Sequence, residues 1–427
     1  MKLKCLVFVV AALATFVAAE QKSYSGYKVY ELFPENDDQI QILSSLRNRL
    51  DFWKFSGTTH HSSVVMVQPD QEQEILKIWS KYGIRHEIMI DDLERSFEKE
   101  RQQQTNAFKK DTREGRISFD YYHRHDAINK YLDDLAQKYP QLVQVEQVGR
   151  SYENRVMKMI KISNGVGNGT KPLVFIDACI HAREWSTPAF ALYIIDQLVE
   201  NYEQNKDMLE HADWYIVPVV NPDGYEYSHT NVRLWRKTRS LTSDPKCVGV
   251  DGNRNYDYNW MATGGNSRPC DETYSGPSAT SEPEVRVVSD LLKKYGPRTE
   301  LYISLHTYGN WLLTPWGHTK DLPPKYDEML KLGHAVSDAI TASTGSKYTV
   351  GSTAHLLYYA AGVSNDYGWG VAKIPMSLTW ELPGGGQHGF DYPPELIKPM
   401  VKETFVGLRV FSDYVAKVAQ EKKTNKG

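Results

Sequence analysis

Four ionisable residues that could bind a metal or transfer a proton directly follow apolar, strand-like runs. His181 and Glu184 come after LVFIDACI, His306 comes after LYISL, and Glu381 comes after MSLTW. In open α/β sheets, ligands bind outside the carboxyl ends of the strands. The three strand ends can therefore converge on one site.

Two histidines and one glutamate are a known ligand set of catalytic zinc sites, in which a fourth position stays open for water or substrate. The short spacing from His181 to Glu184 lets one loop present both, and His306 would complete the set. Zinc would polarise a carbonyl and lower the pKa of its water to about 7. Glu381 would then be the general base. A lone His-x-x-Glu pattern arises often by chance, so an ordinary solvated strand end remains the alternative.

A second polar cluster suggests what the site would bind. LWRKTRS supplies Arg236, and DGNRNYDYNW supplies Asn253 and Arg254. The planar fork of arginine matches a carboxylate through two hydrogen bonds. An enzyme that cuts only at a free C-terminus needs such a clamp, whereas ordinary surface arginines are the alternative.

The elements that must position these residues begin near Phe119. Strand-like runs alternate with helical patterns, and several of the runs are short and wholly apolar. This predicts a mixed, mostly parallel central sheet covered by helices on both faces, within a large domain at 119–427. The predicted strands are 143–148, 156–162, 173–180, 214–220, 301–305 and 376–380. The predicted helices are 123–138, 187–204, 282–295, 326–344 and 395–420.

Residues 20–95 form a separate small unit in which strands and helices also alternate. The strands are predicted at 26–33, 62–69 and 85–90, and the helices at 36–48 and 70–83. This pattern suits a compact α/β sandwich.

The first nineteen residues indicate a secretory signal peptide. Lys2 and Lys4 precede an apolar core, and Ala18 and Ala19 supply the small residues of a cleavage site. A membrane anchor is the alternative, but a span needs about 20 apolar residues and this run is shorter. We therefore expect a secreted protein with no membrane span. The net charge of −3 gives no reason to expect a nucleic-acid partner.

The segment 96–118 is charged and carries Lys109, Lys110, Arg113 and Arg116. One interpretation is an exposed helix that frays into a linker. We favour a connector that a trypsin-like protease cuts between a pro-segment and a mature enzyme, because proteolysis concentrates in exposed polar connectors.

The cysteines fit a secreted protein. Cys247 and Cys270 bracket a polar stretch rich in glycine and asparagine, and an oxidising compartment permits a disulfide between them. Cys179 lies within an apolar strand and is expected to be a buried free thiol. Asn168 begins an NGT glycosylation sequon.

Taken together, the motifs are specific. HAREW, NPDGYEYS, LWRKTRS, DGNRNYDYNW, LHTYGN, AAGVSND and TWEL occur in this order. The chain resembles the zinc metallocarboxypeptidases of the pancreatic carboxypeptidase A/B type, peptidase family M14, in precursor form. Carboxypeptidase A is itself a standard example of a His₂Glu zinc site, so the ligand set and the resemblance are not independent. The resemblance covers nearly everything after the signal peptide, and it implies that 20–95 is a ferredoxin-like, antiparallel activation domain.

The resemblance implies one Zn²⁺ per chain, with His181, Glu184 and His306 as its ligands. Glu381 would activate the attacking water. Arg236 would stabilise the oxyanion that develops beside the metal.

The resemblance also implies the residues that bind substrate and support the site. Asn253 and Arg254 would hold the terminal carboxylate, and Arg183 and Tyr308 would line subsites further along the peptide. Asp251 would orient a zinc-bound histidine. Cys247 and Cys270 would form the family disulfide around the Asn-Arg loop.

The family has a mobile tyrosine that closes over the substrate, and LLYYAAGVSND offers two candidates. Alignment on the motif Ala-x-Gly-x-Ser-x-Asp selects Tyr358, whereas counting back from Glu381 without gaps selects Tyr359. We prefer Tyr358, because local motif identity outranks a count through a variable loop.

The floor of the specificity pocket departs from the family pattern. The motif alignment places Asn365 there, which is neither apolar nor charged, and the gapless alignment would place Asp366 there instead. Asn365 cannot form an ion pair with a basic side chain. It would also leave a polar group to satisfy beneath an apolar substrate. We expect an A-like or broad neutral preference that extends to polar residues such as Gln or Asn. Asp366 would make the enzyme B-like.

The leading hypothesis is a secreted, monomeric zinc exopeptidase, made as a zymogen, that acts on peptides with a free C-terminus. A trypsin-like protease would activate it, and a digestive lumen is one setting for it. A binding-only relative would require a lost ligand or base, and all of these residues are intact. A zinc hydrolase that acts on another amide would not need Arg254.

Overall fold

The computed structural model describes residues 21–111, 116–166, 169–384 and 388–424. The predicted signal peptide, Arg113 and Asn168 lie outside the described residues. Within these ranges, no helix combines the length and apolarity needed to cross a bilayer.

The N-terminal unit is a four-stranded antiparallel sheet with two helices on it. Its strands lie in the order β2-β3-β1-β4, and the chain order β-α-β-β-α-β is that of a ferredoxin-like fold. Asn36 caps the first helix, where its side chain accepts a hydrogen bond from the Gln39 N–H at 3.0 Å. The elements are β1 (Lys28–Phe33), α1 (Asp37–Leu46), β2 (Asp51–Lys54), β3 (Ser63–Val67), α2 (Glu72–Lys81) and β4 (Arg85–Ile90).

The C-terminal part is built on an eight-stranded mixed sheet with strand order β11-β10-β12-β9-β7-β8-β6-β5. The four central strands, β12, β9, β7 and β8, are parallel to one another. The pairs β5–β6, β6–β8 and β10–β12 are antiparallel. The strands are β5 (Val143–Arg150), β6 (Val156–Ile162), β7 (Leu173–Ala178), β8 (Asp213–Val217), β9 (Thr299–Thr307), β10 (Trp311–Thr314), β11 (Thr349–Ser352) and β12 (Met376–Leu382).

Helices cover both faces of this sheet, as the apolar runs predict. In β7, Val174 and Ile176 belong to the hydrophobic core on one face, whereas Phe175 belongs to the core on the other. A strand with two buried faces is apolar at nearly every position, which explains the run LVFIDACI, in which Asp177 is the exception. The helices are α3 (Leu93–Lys110), α4 (His125–Lys138), α5 (Ser186–Val199), α6 (Tyr202–His211), α7 (Pro222–Thr230), α8 (Pro283–Tyr295), α9 (Tyr326–Thr344), α10 (Thr353–Leu356), α11 (Ser364–Gly370) and α12 (Ile397–Thr424).

Several short elements were not predicted. The strands β2, β10 and β11 and the helix α10 have four residues each, too few for a hydrophobic period to stand out. The single helix predicted at 187–204 is in fact two helices, α5 and α6, separated at Glu200 and Asn201.

The connecting segment belongs to the helix α3 as far as Lys110, and this helix is packed against the protein, which corrects the picture of an exposed, fraying one. Leu93, Phe97 and Glu100 are buried along one face of α3. The Phe97 ring packs edge-on against Tyr24, with 5.1 Å between the ring centroids. The Glu100 carboxylate accepts hydrogen bonds of 2.7 and 2.9 Å from the guanidinium of Arg233. Both partners are buried, so this ion pair fastens α3 to the C-terminal domain.

We predict that Glu100→Ala destabilises the docking of α3. Removing one partner of a buried ion pair leaves the other charge uncompensated, which typically costs about 3–5 kcal/mol. Thermal unfolding of the uncut chain measures the loss. Glu98→Ala is the control, because Glu98 is exposed on the same helix and surface substitutions change stability by about 0.5 kcal/mol or less. Equal unfolding curves for the two variants would contradict the prediction.

Candidate active site

The carboxyl ends of the central parallel strands bring the predicted residues together. His306 lies near the end of β9, and its register partner on the neighbouring strand β12 is Glu381. His181 follows β7, and Glu184 lies in the same loop just before α5. Three strand ends therefore build one site at a single edge of the sheet, as the sequence predicts.

The three predicted metal ligands form a compact buried cluster. Their candidate ligand atoms all lie within 4.8 Å of one another. Nδ1 of His181 is 2.7 Å from the Glu184 carboxylate, and Nδ1 of His306 is 3.2 Å from it. The two Nδ1 atoms are 3.2 Å apart. Two imidazole nitrogens and a carboxylate oxygen facing one point are the donor set of an open zinc site.

The protonation of His181 agrees with a ligand role. Its Nε2 lies 3.0 Å from Oδ1 of Asp251, and a carboxylate can only accept, so the ring proton sits on Nε2. Nδ1 is then unprotonated, and its lone pair faces Glu184. Burial lowers the pKa of His181, and the nearby Arg236 lowers it further, which favours the neutral imidazole that binds metal. The residues present therefore fit Zn²⁺.

The Glu184 carboxylate is held in its charged form. Burial alone would raise its pKa, but His181 and His306 together keep the pKa well below the usual value. A charged carboxylate between two imidazoles supplies part of the negative charge that a divalent cation needs.

Asp251 connects the metal cluster to the arginines. Besides His181, its carboxylate accepts hydrogen bonds from Arg236 at 2.9 and 3.2 Å and from the Asn253 backbone N–H at 2.9 Å. Burial would raise the pKa of Asp251, but Arg236 and His181 hold it well below the usual value. The structure joins Cys247 and Cys270 by a disulfide, 23 residues apart in the chain, around the loop that carries Asp251.

The predicted carboxylate clamp lies against the metal cluster. Asn253 Nδ2 is 3.4 Å from His306 Nε2, while its Oδ1 accepts from the Ser364 N–H at 2.9 Å. The Arg254 guanidinium donates to the Asn253 carbonyl at 2.6 Å and to the Tyr358 hydroxyl at 3.2 Å. Tyr358 is thus the tyrosine beside the clamp, whereas the Tyr359 side chain is 40% exposed.

The alternatives for the pocket floor have different surroundings. The Asp366 carboxylate accepts from the Gly317 N–H at 3.0 Å and lies 2.8 Å from Nδ1 of His318, so its oxygens are occupied. Asn365 lines the cavity beside the metal cluster, with Thr353 and Thr379. Its Nδ2 is buried and has no hydrogen-bond partner among the described residues.

Arg183 and Tyr308 also line this cavity, which has a volume of about 880 Å³ and extends under the N-terminal unit. The Arg183 guanidinium donates to Asp51 of β2 at 2.8 Å and lies 4.2 Å from the centroid of the Phe390 ring. Tyr308 packs on the same ring, with 5.2 Å between the centroids. The N-terminal unit therefore already contacts a residue predicted to bind substrate.

Sequence reasoning did not identify the residues that the N-terminal unit contributes. Asp51 bonds Arg183, and the Arg47 guanidinium lies 3.9 Å from the centroid of the Tyr358 ring. A single charged residue in a small domain has no spacing pattern, so the sequence carries no signal that could have identified either one.

Comparison with known proteins defines the family. The zinc carboxypeptidase family model matches residues 128–407, and the carboxypeptidase activation peptide model matches residues 30–100. The chain belongs to the zinc carboxypeptidase family. This zinc carboxypeptidase is 38% identical to carboxypeptidase B of Helicoverpa zea, over 94% of this chain and 96% of the relative. It is 34% identical to carboxypeptidase A2 of Mus musculus, over 92% and 95% of the two chains.

A solved structure shows that the likeness extends to the fold. The crystal structure of carboxypeptidase A from Helicoverpa armigera matches with a TM-score of 0.87 and 31% identity, over 93% of this chain and 99% of that one. The mixed sheet and the preceding activation unit are thus features of the family fold, and the predicted fold class is confirmed.

We predict that two glutamates of the site have separable effects on metal content. Glu184→Gln should lose bound zinc, because an amide replaces the charged ligand. Glu381→Gln should keep about one zinc per chain, since Glu381 lies outside the compact ligand cluster. Elemental analysis of dialysed protein checks both variants. Full zinc content in Glu184→Gln, or its loss in Glu381→Gln, would contradict the assignment.

Proposed function

We propose that this zinc carboxypeptidase releases single neutral or polar residues from the C-termini of peptides, using one Zn²⁺ held by His181, Glu184 and His306. The substrate preference is inferred from the residues at the floor of the specificity pocket. There Asn365 lines the cavity and its Nδ2 has no hydrogen-bond partner within the described part of the chain, while the carboxylate of Asp366 is occupied.

The residues of the clamp would bind and orient the substrate. Arg254 would exchange its bond to Tyr358 for a bidentate bond to the terminal carboxylate, with Asn253 donating beside it. Release of that bond would free Tyr358 to close over the bound residue. This orientation places the last peptide bond at the metal cluster and not further along the chain, which is what makes the enzyme an exopeptidase.

The chemical step needs a base and an oxyanion donor. Bound zinc would polarise the carbonyl and lower the pKa of water. Burial raises the pKa of the Glu381 carboxyl, which makes it a stronger base than an exposed glutamate. Arg236 is already fixed by Asp251 before substrate arrives, so its N–H groups can stabilise the developing negative charge without reorganising.

The pocket floor decides which residue is released. An Asn365 amide can satisfy a substrate amide or hydroxyl, but it cannot neutralise a lysine or arginine side chain. The relatives are named both carboxypeptidase A and carboxypeptidase B, so their names do not decide between the two preferences.

We predict that cleavage of peptides ending in Gln, Asn or Phe exceeds cleavage of peptides ending in Arg. Asn365→Asp should raise kcat/KM for Arg relative to Phe by roughly 30-fold, because a charge-assisted hydrogen bond contributes about 2 kcal/mol. Asn365→Ile is the matched variant and should favour Phe at the expense of Gln. If the unaltered enzyme releases mainly Arg, the proposed preference for neutral residues is wrong, and Asp366 becomes the candidate for the pocket floor.

The N-terminal unit would hold the enzyme inactive until it is cut. Asp51 occupies Arg183 and Arg47 covers Tyr358, so a peptide cannot reach either side chain. We place the pro-segment at 20–95, the cleavable connector at 96–118 and the mature enzyme from 119 to 427. Lys109 and Lys110 form the exposed end of α3, where a trypsin-like protease can reach the chain. The connector therefore begins inside α3.

We predict that Asp51→Ala raises the activity of the uncut chain, because Arg183 is released from its half-buried partner. Asp70→Ala, an exposed change in the same unit, is the control and should leave the uncut chain as inactive as the unaltered one. Hydrolysis of a short C-terminal Phe substrate before and after trypsin treatment measures both. A fully active uncut, unaltered chain would contradict inhibition by the N-terminal unit.

The sequence features at residues 1–19 support secretion, and a digestive lumen suits a protease that trypsin-like enzymes activate. We propose a secreted monomer. N-terminal sequencing of the protein released from producing cells tests this, with Glu20 expected as the first residue.

A further inference from the structure

Asp177 is a buried carboxylate near the carboxyl end of β7, the strand that leads to the metal cluster. It is 1% exposed, and the structure shows no ion pair to it among the described residues. Its oxygens accept hydrogen bonds from the Tyr302 hydroxyl at 2.5 Å and from the Ser304 hydroxyl at 2.8 Å. A buried carboxylate costs free energy, so its presence in an otherwise apolar strand needs a reason.

Strand register places Asp177 in line with a metal ligand. The strands β7 and β9 are parallel and pair Asp177 with Ser304. Ser304 and His306 are two residues apart on β9, so their side chains leave the same face of the sheet. The Ser304 hydroxyl lies 3.3 Å from Nε2 of His306. A continuous chain of polar atoms therefore runs from the imidazole through the hydroxyl to the carboxylate.

The protons in this chain have one arrangement when His306 binds metal. Nδ1 faces Glu184 and His181, so it must be bare, and the ring proton is then on Nε2. In the described ranges, two polar atoms lie within hydrogen-bond distance of Nε2, Oγ of Ser304 and Nδ2 of Asn253. The Asn253 amide accepts through its Oδ1 from Ser364, so its Nδ2 is a donor. Of these two atoms, only the serine hydroxyl oxygen can accept a hydrogen bond from the imidazole N–H.

The Ser304 hydroxyl can accept a hydrogen bond from His306 because it donates its own hydrogen to Asp177. Burial raises the pKa of Asp177, while the hydrogen bonds from Tyr302 and Ser304 lower it. When Asp177 is ionised, it has no hydrogen to donate, so the Ser304 hydroxyl points its hydrogen at Asp177 and leaves its lone pairs for His306. His181 has a carboxylate partner in direct contact, Asp251 at 3.0 Å. His306 reaches its carboxylate through one hydroxyl.

We propose that Asp177 and Ser304 are positioning residues for His306, which together fix the tautomer and ring orientation that metal binding requires. The proposal rests on the proposed zinc site. Partners in contact with a metal-bound histidine raise its basicity, and mutating them typically weakens metal binding by about 10–100-fold.

The first test is the zinc affinity of Ser304→Ala in the full-length chain, measured by competition with a chromophoric chelator. We expect about 10-fold weaker binding. Ser377→Ala is the matched control, because Ser377 is a buried serine on the neighbouring strand β12 whose hydroxyl bonds the Asn365 carbonyl at 2.7 Å. It loses a comparable hydrogen bond away from His306 and should bind zinc like the unaltered chain. Ser304→Thr, which keeps the hydroxyl, should restore binding.

The second test asks whether Asp177 acts through the serine. Asp177→Asn should weaken zinc binding when Ser304 is present. In the Ser304→Ala background it should cause little further loss of affinity, since the hydrogen-bonded path from Asp177 to His306 is already broken there. Thermal unfolding of the metal-free variants reports whether each one folds. If Asp177→Asn does not fold, the comparison of Ser304→Ala with Ser377→Ala still decides.

Three outcomes would overturn the proposal. Ser304→Ala could bind zinc as tightly as the unaltered chain, it could lose no more affinity than Ser377→Ala, or the effect of Asp177→Asn could be the same with and without Ser304. An unaltered chain that binds no zinc would be a different failure, since it would remove the zinc site itself. If the unaltered chain binds zinc and Ser304→Ala binds it equally well, only the positioning role of Asp177 and Ser304 is refuted.

Discussion

The site depends on one buried carboxylate, Asp251, and on how its charge is satisfied. It is completely buried, and it accepts hydrogen bonds from His181, from Arg236 and from the Asn253 backbone. One anion thereby fixes a predicted metal ligand, the proposed oxyanion donor and the start of the proposed carboxylate clamp in one frame. A buried charge of this kind is tolerated only when every partner is in place, so the three functions are positioned together.

The same principle explains why this loop is fastened so firmly. The disulfide between Cys247 and Cys270 closes it, and the Asn253 side chain ties it to the N-terminus of α11 through Ser364. Because Asn365 is the next residue on that helix, the clamp and the pocket floor share one support. The proposed carboxylate clamp and the proposed pocket floor are consequently held by a single structural unit.

The sequence predicts the centre of this arrangement better than its borders. The strands β7, β9 and β12 are long apolar runs that end in ionisable residues, so both the fold class and the convergence of His181, His306 and Glu381 could be read directly. The four-residue elements β10, β11 and α10 were missed, because they contain about one helical turn or two alternations of a strand.

The N-terminal contacts could not be predicted, for a different reason. Asp51 and Arg183 are 132 residues apart in the chain, and their pairing depends on how two domains dock. Asp177 does carry a signal, since an acidic residue inside an apolar strand is unusual. Its partners on β9 become apparent only from the strand register.

The electrostatics of the covered site explain how the N-terminal unit can be both bound and removable. Arg47 lies near Arg254 and Arg236, and burial together with these like charges lowers its pKa. Its guanidinium stacks on Tyr358 and Phe55, which offers a favourable but weak compensation. The unfavourable charge inside the cavity is offset at the periphery, where Asp51 pairs with Arg183 and Glu100 pairs with Arg233. A cut after α3 removes the covalent tether but neither ion pair, so release of the N-terminal unit must still break both of them. The repulsion around Arg47 favours that release.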